Sequence, residues 1–300
     1  MDRGPFTELV SESINYVRLN YPIMVKGHTA SSFRFRLNNG VEVPALGLGT
    51  YKLPGEQAYA PVRMALDCGY RHIDTASFYE NEEAIGRAVQ ESEVPREEVF
   101  ITSKVWNTEQ GFEETLDAFD RTLQRLGTDY LDLYLVHWPV TEKRLDTYRA
   151  LERLYKDGRV RAIGVSNFTV RHLQELYSAC QVLPAVNQVE MSPFLFQKDL
   201  LEHCQVRDIL VTAYSPLGRG RALGDPVLSE VGKKHRKTPA QVILRWCLQK
   251  GMAAIPRSAD IGHIRQNSQI FGFSLDNDDM ARLDLLHSGL RTTTDPDTFE

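Results

Sequence analysis

One stretch of the chain carries most of the information about its fold: Gly69-Tyr70-Arg71-His72-Ile73-Asp74-Thr75-Ala76-Ser77-Phe78-Tyr79-Glu80-Asn81-Glu82. It predicts a short apolar strand that ends in Asp74, followed five residues later by Tyr79 just before a helix begins. Two later strand-like runs also end in proton-handling residues, Lys104 and His137. Barrel enzymes keep their chemistry at the carboxyl ends of strands, so these four side chains are expected at one mouth of a closed parallel barrel.

The composition is that of an ordinary globular protein, with 42% hydrophobic and 25% charged residues in a chain of 300. The net charge of −5 gives no reason to expect nucleic acid or an anionic membrane surface as the main partner. No run approaches the roughly 18 apolar residues of a membrane span. The N-terminal residues also lack the basic and apolar regions of a targeting peptide. We therefore expect a cytoplasmic protein.

The four cysteines are spread along the chain without a C-x-x-C pair: Cys68, Cys180, Cys204 and Cys247. This spacing predicts neither a zinc knuckle nor a disulfide framework. We expect free thiols in a reducing compartment, and no metal site.

From residue 33 onward, apolar runs of strand length alternate with longer amphipathic segments. A β-hairpin is predicted over Arg34 to Leu37 and Val41 to Val43, because Asn38-Asn39-Gly40 favours a tight turn. Eight further strands are predicted to begin near Ala45, Arg71, Val99, Leu131, Val160, Ala185, Ile209 and Met252. Helices are predicted between them, including Glu56 to Cys68, Phe112 to Leu126, Thr147 to Lys156 and Leu195 to Val206. Eight such repeats favour a single α/β domain, a (β/α)₈ TIM barrel, over a doubly wound sheet.

Residues 1–30 stand outside this count and are treated as an N-terminal extension of unknown role, with the barrel over residues 31–300. Five apolar residues of the extension have helical spacing: Phe6, Leu9, Val10, Ile14 and Val17. A frayed extension explains them equally well.

A tyrosine with an ordinary pKa near 10 keeps its proton at neutral pH and can donate it to a carbonyl oxygen. Lys104 would stabilise the phenolate, Asp74 would neutralise the lysine, and His137 would donate to the same oxygen. Each residue alone also has a structural explanation: a rim hydrogen bond for Tyr79, an ion pair for Lys104 with Asp74, and core packing for His137. The joint pattern favours the proton-transfer site.

Polar residues also follow the later strands. Ser166, Asn167 and Gln188 are suited to hold a carboxamide, and Tyr214 is suited to stack on a flat ring. Arg257 and Ser258 are suited to hold a phosphate. The alternative role for each of these side chains is to form hydrogen bonds that cap an ordinary loop. Gly47-Leu48-Gly49 lacks the third glycine of a phosphate loop and predicts a strand end.

Four aromatic residues follow predicted strands beside the proposed proton donor, Tyr79: Tyr51, Phe78, Trp106 and Trp138. Together with His137 they would wall an apolar pocket around a carbonyl substrate. Core packing is the alternative for any one of them.

From about residue 33 to its end, the chain resembles the aldo-keto reductase family. The resemblance is carried by Gly69 to Glu82, Ile101 to Trp106, Leu131 to Pro139, Gly164 to Phe168, Ala213 to Gly218 and Ala254 to Ser258. It implies that Tyr79 is the proton donor, completed by Asp74, Lys104 and His137, and that the hairpin closes the barrel bottom. The short loop after His137 resembles the compact microbial-type branch, which includes 2,5-diketogluconate and methylglyoxal reductases.

The resemblance also implies NADPH as the cofactor, with NADH weaker, bound without a Rossmann domain. The implied cofactor residues are Thr50, Ser166, Asn167, Gln188, Tyr214, Ser215, Leu217, Gly218, Arg257, Ser258, His263 and Asn267. Three positions depart from the family pattern: Arg257 stands where lysine is usual, His263 where arginine is usual, and Tyr51 where tryptophan is frequent.

The expected activity is reduction of aldehydes and small ketones by a monomer, with a small carbonyl compound as its partner. A non-catalytic NADPH-binding regulatory or redox-sensing subunit on the same barrel is the alternative. A metal-dependent barrel hydrolase is disfavoured, because the predicted strand ends lack clustered histidine and carboxylate ligands.

Overall fold

The computed structural model describes Thr29, residues 32–221 and residues 223–299. The apolar stripe predicted near the N-terminus lies outside the described residues. Among the described residues, no helix has the length and apolar character that a membrane crossing requires.

The predicted hairpin is confirmed. Strands β1 (Arg34–Arg36) and β2 (Glu42–Pro44) pair antiparallel. Two turn residues tie the hairpin to the amino-terminal ends of barrel strands: Asn38 donates to the carbonyl of Pro184 at 3.1 Å, and Asn39 donates to that of Arg161 at 2.9 Å. The hairpin therefore covers the bottom of the barrel.

The eight predicted barrel strands are also confirmed. They are β3 (Leu48–Gly49), β4 (His72–Asp74), β5 (Phe100–Val105), β6 (Leu131–Val136), β7 (Val160–Ser166), β8 (Val186–Glu190), β9 (Leu210–Tyr214) and β10 (Ala253–Ile255). Each pairs in parallel with the next along the chain. The Gly47 amide donates to the Ala254 carbonyl at 2.9 Å, and the Ala254 amide donates to the Ala45 carbonyl at 2.9 Å. These bonds join the first strand to the last, so the sheet closes into a (β/α)₈ barrel.

The closure depends on Gly49. A Cβ atom at this position would lie 2.7 Å from the carbonyl oxygen of Ile255, too close for any side chain. Glycine is required here because the two backbones approach each other closely.

Ten helices surround the barrel in the described residues: α1 (Tyr59–Asp67), α2 (Glu82–Gln90), α3 (Phe112–Leu126), α4 (Arg144–Lys156), α5 (Val170–Tyr177), α6 (Lys198–Gln205), α7 (Pro226–His235), α8 (Pro239–Gln249), α9 (Ile261–Ser268) and α10 (Asn277–Asp284). Helix α3 follows its predicted bounds. It buries Phe119, Leu123 and Leu126 on one face, and it ends at Gly127, whose φ of 62° is left-handed.

The predicted start of helix α6 is wrong. Leu195 lies in a turn, where its amide donates to the carbonyl of Ser192 at 3.0 Å, and the helix begins only at Lys198. Leu195 is buried nonetheless. Its apolar spacing with Leu200 and Leu201 thus reflects burial of a turn and a helix in the same core.

Candidate active site

The structure brings the four predicted proton-handling residues together at the carboxyl ends of three adjacent strands. Asp74 ends β4, Lys104 lies near the end of β5, and His137 directly follows β6. Tyr79 ends a short 3₁₀ turn after β4, Ser77–Tyr79. Strand pairing therefore brings residues up to 63 positions apart in the sequence into one cluster, because the strands that lead to Asp74 and His137 flank β5.

Asp74 and Lys104 form a buried ion pair. Lys104 Nζ donates to Asp74 Oδ1 at 2.7 Å and to the Thr75 carbonyl at 2.8 Å. The other carboxylate oxygen, Oδ2, accepts from Gln188 Nε2 at 2.6 Å. The lysine side chain is fully buried, so its burial lowers its pKa although Asp74 opposes that change. The two hydrogen bonds of Nζ hold the ammonium in one position under the barrel mouth.

Tyr79 lies over this pair. Lys104 Nζ is 5.1 Å from the centre of the Tyr79 ring, and the rings of Tyr51 and His137 are centred 5.1 Å and 5.7 Å from it. Burial raises the pKa of Tyr79 well above its ordinary value, and the charge of Asp74 adds to this rise. The phenol therefore holds its proton at neutral pH.

His137 is neutral at the same pH. Burial lowers its pKa well below the ordinary value, and the Lys104 charge acts in the same direction. The Trp106 ring meets the imidazole edge to face at 5.0 Å. A neutral imidazole can donate one hydrogen bond into the mouth without adding charge there.

The predicted carboxamide residues form a linked set on the opposite wall. Asn167 Nδ2 donates to the His137 carbonyl at 2.9 Å, and Ser166 Oγ donates to the Gln188 carbonyl at 2.9 Å. Tyr214 donates to Asn167 Oδ1 at 2.7 Å. Asn167 has a left-handed φ of 63°, a conformation that asparagine tolerates better than most residues.

A cavity of about 720 Å³ opens between these two walls. All five predicted substrate residues line it: Tyr51, Phe78, Trp106, His137 and Trp138. Phe78 stacks on Trp106 with ring centres 3.8 Å apart. The predicted cofactor residues that line it are Ser166, Asn167, Gln188, Tyr214, Ser215, Leu217 and Arg257.

The other predicted cofactor residues do not line this cavity among the described residues. Thr50 is fully buried, and its hydroxyl donates to the Asp74 carbonyl at 2.9 Å. Ser258 accepts from the Asp260 amide at 3.1 Å, and His263 is exposed in the first turn of α9. Gly218 begins a short 3₁₀ turn, and Asn267 is buried near the end of α9.

Several cavity residues were not predicted from the sequence: Lys52, Thr293, Thr294 and Phe299. The sequence predicts Arg219 as a solvated loop charge that would hold phosphate only in place of Arg257, but its side chain lines the cavity. Lys52 lies in the loop after β3, where charges are normally solvated. Phe299 stacks on Trp138 with ring centres 4.9 Å apart. No local signal in the C-terminal residues indicates that they return to the barrel mouth.

The chemistry of the cavity residues fits a nicotinamide dinucleotide. Gln188 Oε1 accepts no hydrogen bond from the described residues, so it is available to a carboxamide N–H. Three cations also line the cavity, and none of them is ion-paired in the part of the chain that the structure describes: Lys52, Arg219 and Arg257. The negative charge of phosphate groups matches such a cluster of cations.

Comparisons with known proteins give one family. A family model described as "Aldo/keto reductase family" matches residues 45–287. The glyoxal reductase of Bacillus subtilis (strain 168) is 51% identical over 263 residues, which cover 87% of this chain and 95% of the relative.

Solved structures agree with the sequence comparison. An aldo-keto reductase from a Medee basin deep-sea metagenome library has a TM-score of 0.87 and 43% identity, over 89% of this chain and 100% of its own. An aldo-keto reductase complexed with NADPH has a TM-score of 0.83 and 38% identity, over 87% of this chain and 90% of its own.

Proposed function

This chain belongs to the aldo/keto reductase family, and we propose from that premise that Tyr79 protonates the carbonyl oxygen of the aldehydes and small ketones that the enzyme reduces. The enzyme is an NAD(P)H-dependent oxidoreductase, and its cofactor is NADPH. Similarity to a bacterial glyoxal reductase confirms the compact microbial-type branch and supports small aldehydes as substrates. Nothing favours the alternative of a non-catalytic subunit.

The single observation that carries the proposal is the placement of Tyr79 over the buried Lys104–Asp74 pair. NADPH supplies a hydride to the carbonyl carbon when it is bound. His137 donates a hydrogen bond to the carbonyl oxygen and orients it towards the Tyr79 hydroxyl. Tyr79 then transfers its proton to that oxygen, and the Lys104 ammonium stabilises the phenolate that remains.

The cofactor is held by residues of the opposite wall. Asn167, Ser166 and Gln188 bind the carboxamide, and Tyr214 provides a flat face beside it. Lys52, Arg219 and Arg257 bind the phosphates, because they are cations that line the same cavity. Arg257 is held in place, since its Nη2 donates to the Lys52 carbonyl at 3.0 Å.

The test is Tyr79→Phe, with NADPH absorbance followed against methylglyoxal, nitrobenzaldehyde, 2,5-diketogluconate and xylose. We expect kcat to fall roughly 10²- to 10⁴-fold, the range for losing a general acid, with NADPH affinity nearly unchanged. Tyr130→Phe is the matched control, because Tyr130 also lies under a cation, Arg96 at 4.2 Å, but outside the cavity. Near-normal turnover by Tyr79→Phe would exclude it as the proton donor.

The monomeric state and the cytoplasmic location stay predictions. Gel filtration with light scattering tests the first directly.

A further inference from the structure

We propose that Glu190 is a positioning residue that fastens the C-terminal segment, residues 291–299, across the barrel mouth and thereby fixes Tyr214. The proposal rests on the proposed function, because Tyr214 is placed there against the nicotinamide. Glu190 ends β8, two residues after Gln188, so both side chains point to the same side of the strand. Glu190 is only 2% exposed.

The carboxylate of Glu190 accepts four hydrogen bonds from two neighbouring threonines. Its Oε1 accepts from the Thr292 amide at 2.7 Å and from the Thr292 hydroxyl at 2.6 Å. Its Oε2 accepts from the Thr293 amide at 3.0 Å and from the Thr293 hydroxyl at 2.6 Å. Glu190 has no ion-pair partner among the described residues. The buried charge is therefore compensated by the C-terminal segment itself.

Thr293 also connects Glu190 to Tyr214 and Asn167, which lie on the cofactor side of the cavity. The Thr293 hydroxyl lies 3.0 Å from the Tyr214 hydroxyl, which donates to Asn167 Oδ1. Asn167 directs its Nδ2 to the His137 carbonyl, so its Oδ1 must be the acceptor. Thr293 has one hydroxyl proton and gives it to Glu190, since two oxygens 2.6 Å apart require a proton between them. Tyr214 therefore shares its own proton between Asn167 and Thr293.

The same segment forms part of the substrate wall. Thr293, Thr294 and Phe299 line the cavity, and Phe299 stacks on Trp138. A second attachment lies near the end of the segment, where Thr169 donates to Asp297 at 2.8 Å on the surface. Glu190 is thus the buried attachment of a segment that contacts both the substrate side and the cofactor side of one cavity.

Glu190→Gln tests this role with little change of shape. An amide offers one acceptor oxygen, and its N–H₂ group would face the donors of the other threonine. Two single variants separate the contact to Glu190 from the contact to Tyr214. Thr293→Val removes a hydroxyl that contacts both Glu190 and Tyr214, whereas Thr292→Val removes a hydroxyl that contacts Glu190 alone.

Binding is measured by fluorescence titration with NADPH and with 2′,5′-ADP, which carries the adenine, the 2′-phosphate and one 5′-phosphate but lacks the nicotinamide half. For Glu190→Gln and Thr293→Val we expect NADPH to bind about 2- to 10-fold more weakly, the range for a side chain, here Tyr214, that must be ordered when the ligand binds. Binding of 2′,5′-ADP should change less than about twofold. The carbonyl KM should rise with little change in kcat, and carboxypeptidase should remove C-terminal residues faster.

Thr292→Val should lie closer to the wild type than Thr293→Val in NADPH affinity. Equal loss of NADPH and 2′,5′-ADP binding would assign Glu190 a purely structural role and overturn the proposal. Unchanged NADPH affinity in both Glu190→Gln and Thr293→Val would overturn it as well. Failure of the proposed function is distinguishable, because the wild type itself would then not oxidise NADPH with any carbonyl of the panel.

Discussion

Replacing Lys104 with methionine should cost both stability and activity, and replacing Asp74 as well should restore only stability. Lys104 is fully buried and Asp74 nearly so, with 2.7 Å between Nζ and Oδ1. Removal of the lysine leaves a buried carboxylate without its cation, which costs about 3 to 5 kcal/mol of unfolding free energy. At about 2 to 3 °C for each kcal/mol, Tm should fall by roughly 6 to 15 °C.

The double variant Lys104→Met with Asp74→Asn removes both charges. Its asparagine oxygen can still accept from Gln188 Nε2, so the unfolding free energy should return to within about 1 to 2 kcal/mol of the wild type. Activity should stay at least roughly 10²-fold down, because no cation remains to stabilise the Tyr79 phenolate. Thermal unfolding by circular dichroism and turnover by NADPH absorbance separate the two effects.

Lys250→Met is the matched control. Its partner Asp284 lies 2.6 Å away outside the barrel, and both side chains are partly exposed, so the cost should be about 1 kcal/mol or less. If Lys104→Met melts like the wild type, the energetic reasoning for the buried pair is refuted. If the double variant recovers turnover, the phenolate does not depend on Lys104.

Burial lowers the pKa of His72 to about 4, so the unfolded chain takes up its proton first, near pH 6.5. His72 should then lower the unfolding free energy by about 1.4 kcal/mol per pH unit from about 6.5 towards 4. In urea titrations His72→Gln should remove this contribution to the slope and leave that of His137, whose pKa burial also lowers. In fluorescence titrations, Arg257→Ala should abolish the preference for NADPH over NADH. If the ratio of NADPH affinity to NADH affinity is unchanged in this variant, the 2′-phosphate is bound elsewhere. His263→Arg should tighten NADPH binding, because arginine offers a larger stacking face. Truncation to Ser31 should leave turnover intact, and a soluble but inactive product would show that the extension reaches the site.

The sequence by itself was sufficient to predict the barrel and the cluster of Asp74, Tyr79, Lys104 and His137 at its mouth, because both predictions depend on local signals. The hairpin turn at Asn38-Asn39-Gly40, the eight strand runs and the helix over Phe112 to Leu126 are all present in the structure. Asp74, Lys104 and His137 were found because each lies at or next to a strand end, and parallel strands bring their carboxyl ends to one mouth. The apolar spacing from Leu195 misplaced one helix start, since burial has the same pattern in a turn as in a helix.

Only the tertiary structure decided how the mouth is covered. Glu190 ends β8 just as Asp74 ends β4, but nothing local indicates that its partners lie about a hundred residues later, at Thr292 and Thr293. Phe299 reaches Trp138 for the same reason, through a return of the chain that no periodicity encodes. Strand ends are set by short-range pattern and sheet register. Contacts of a segment without regular structure depend on which buried groups in the fold still need hydrogen-bond partners.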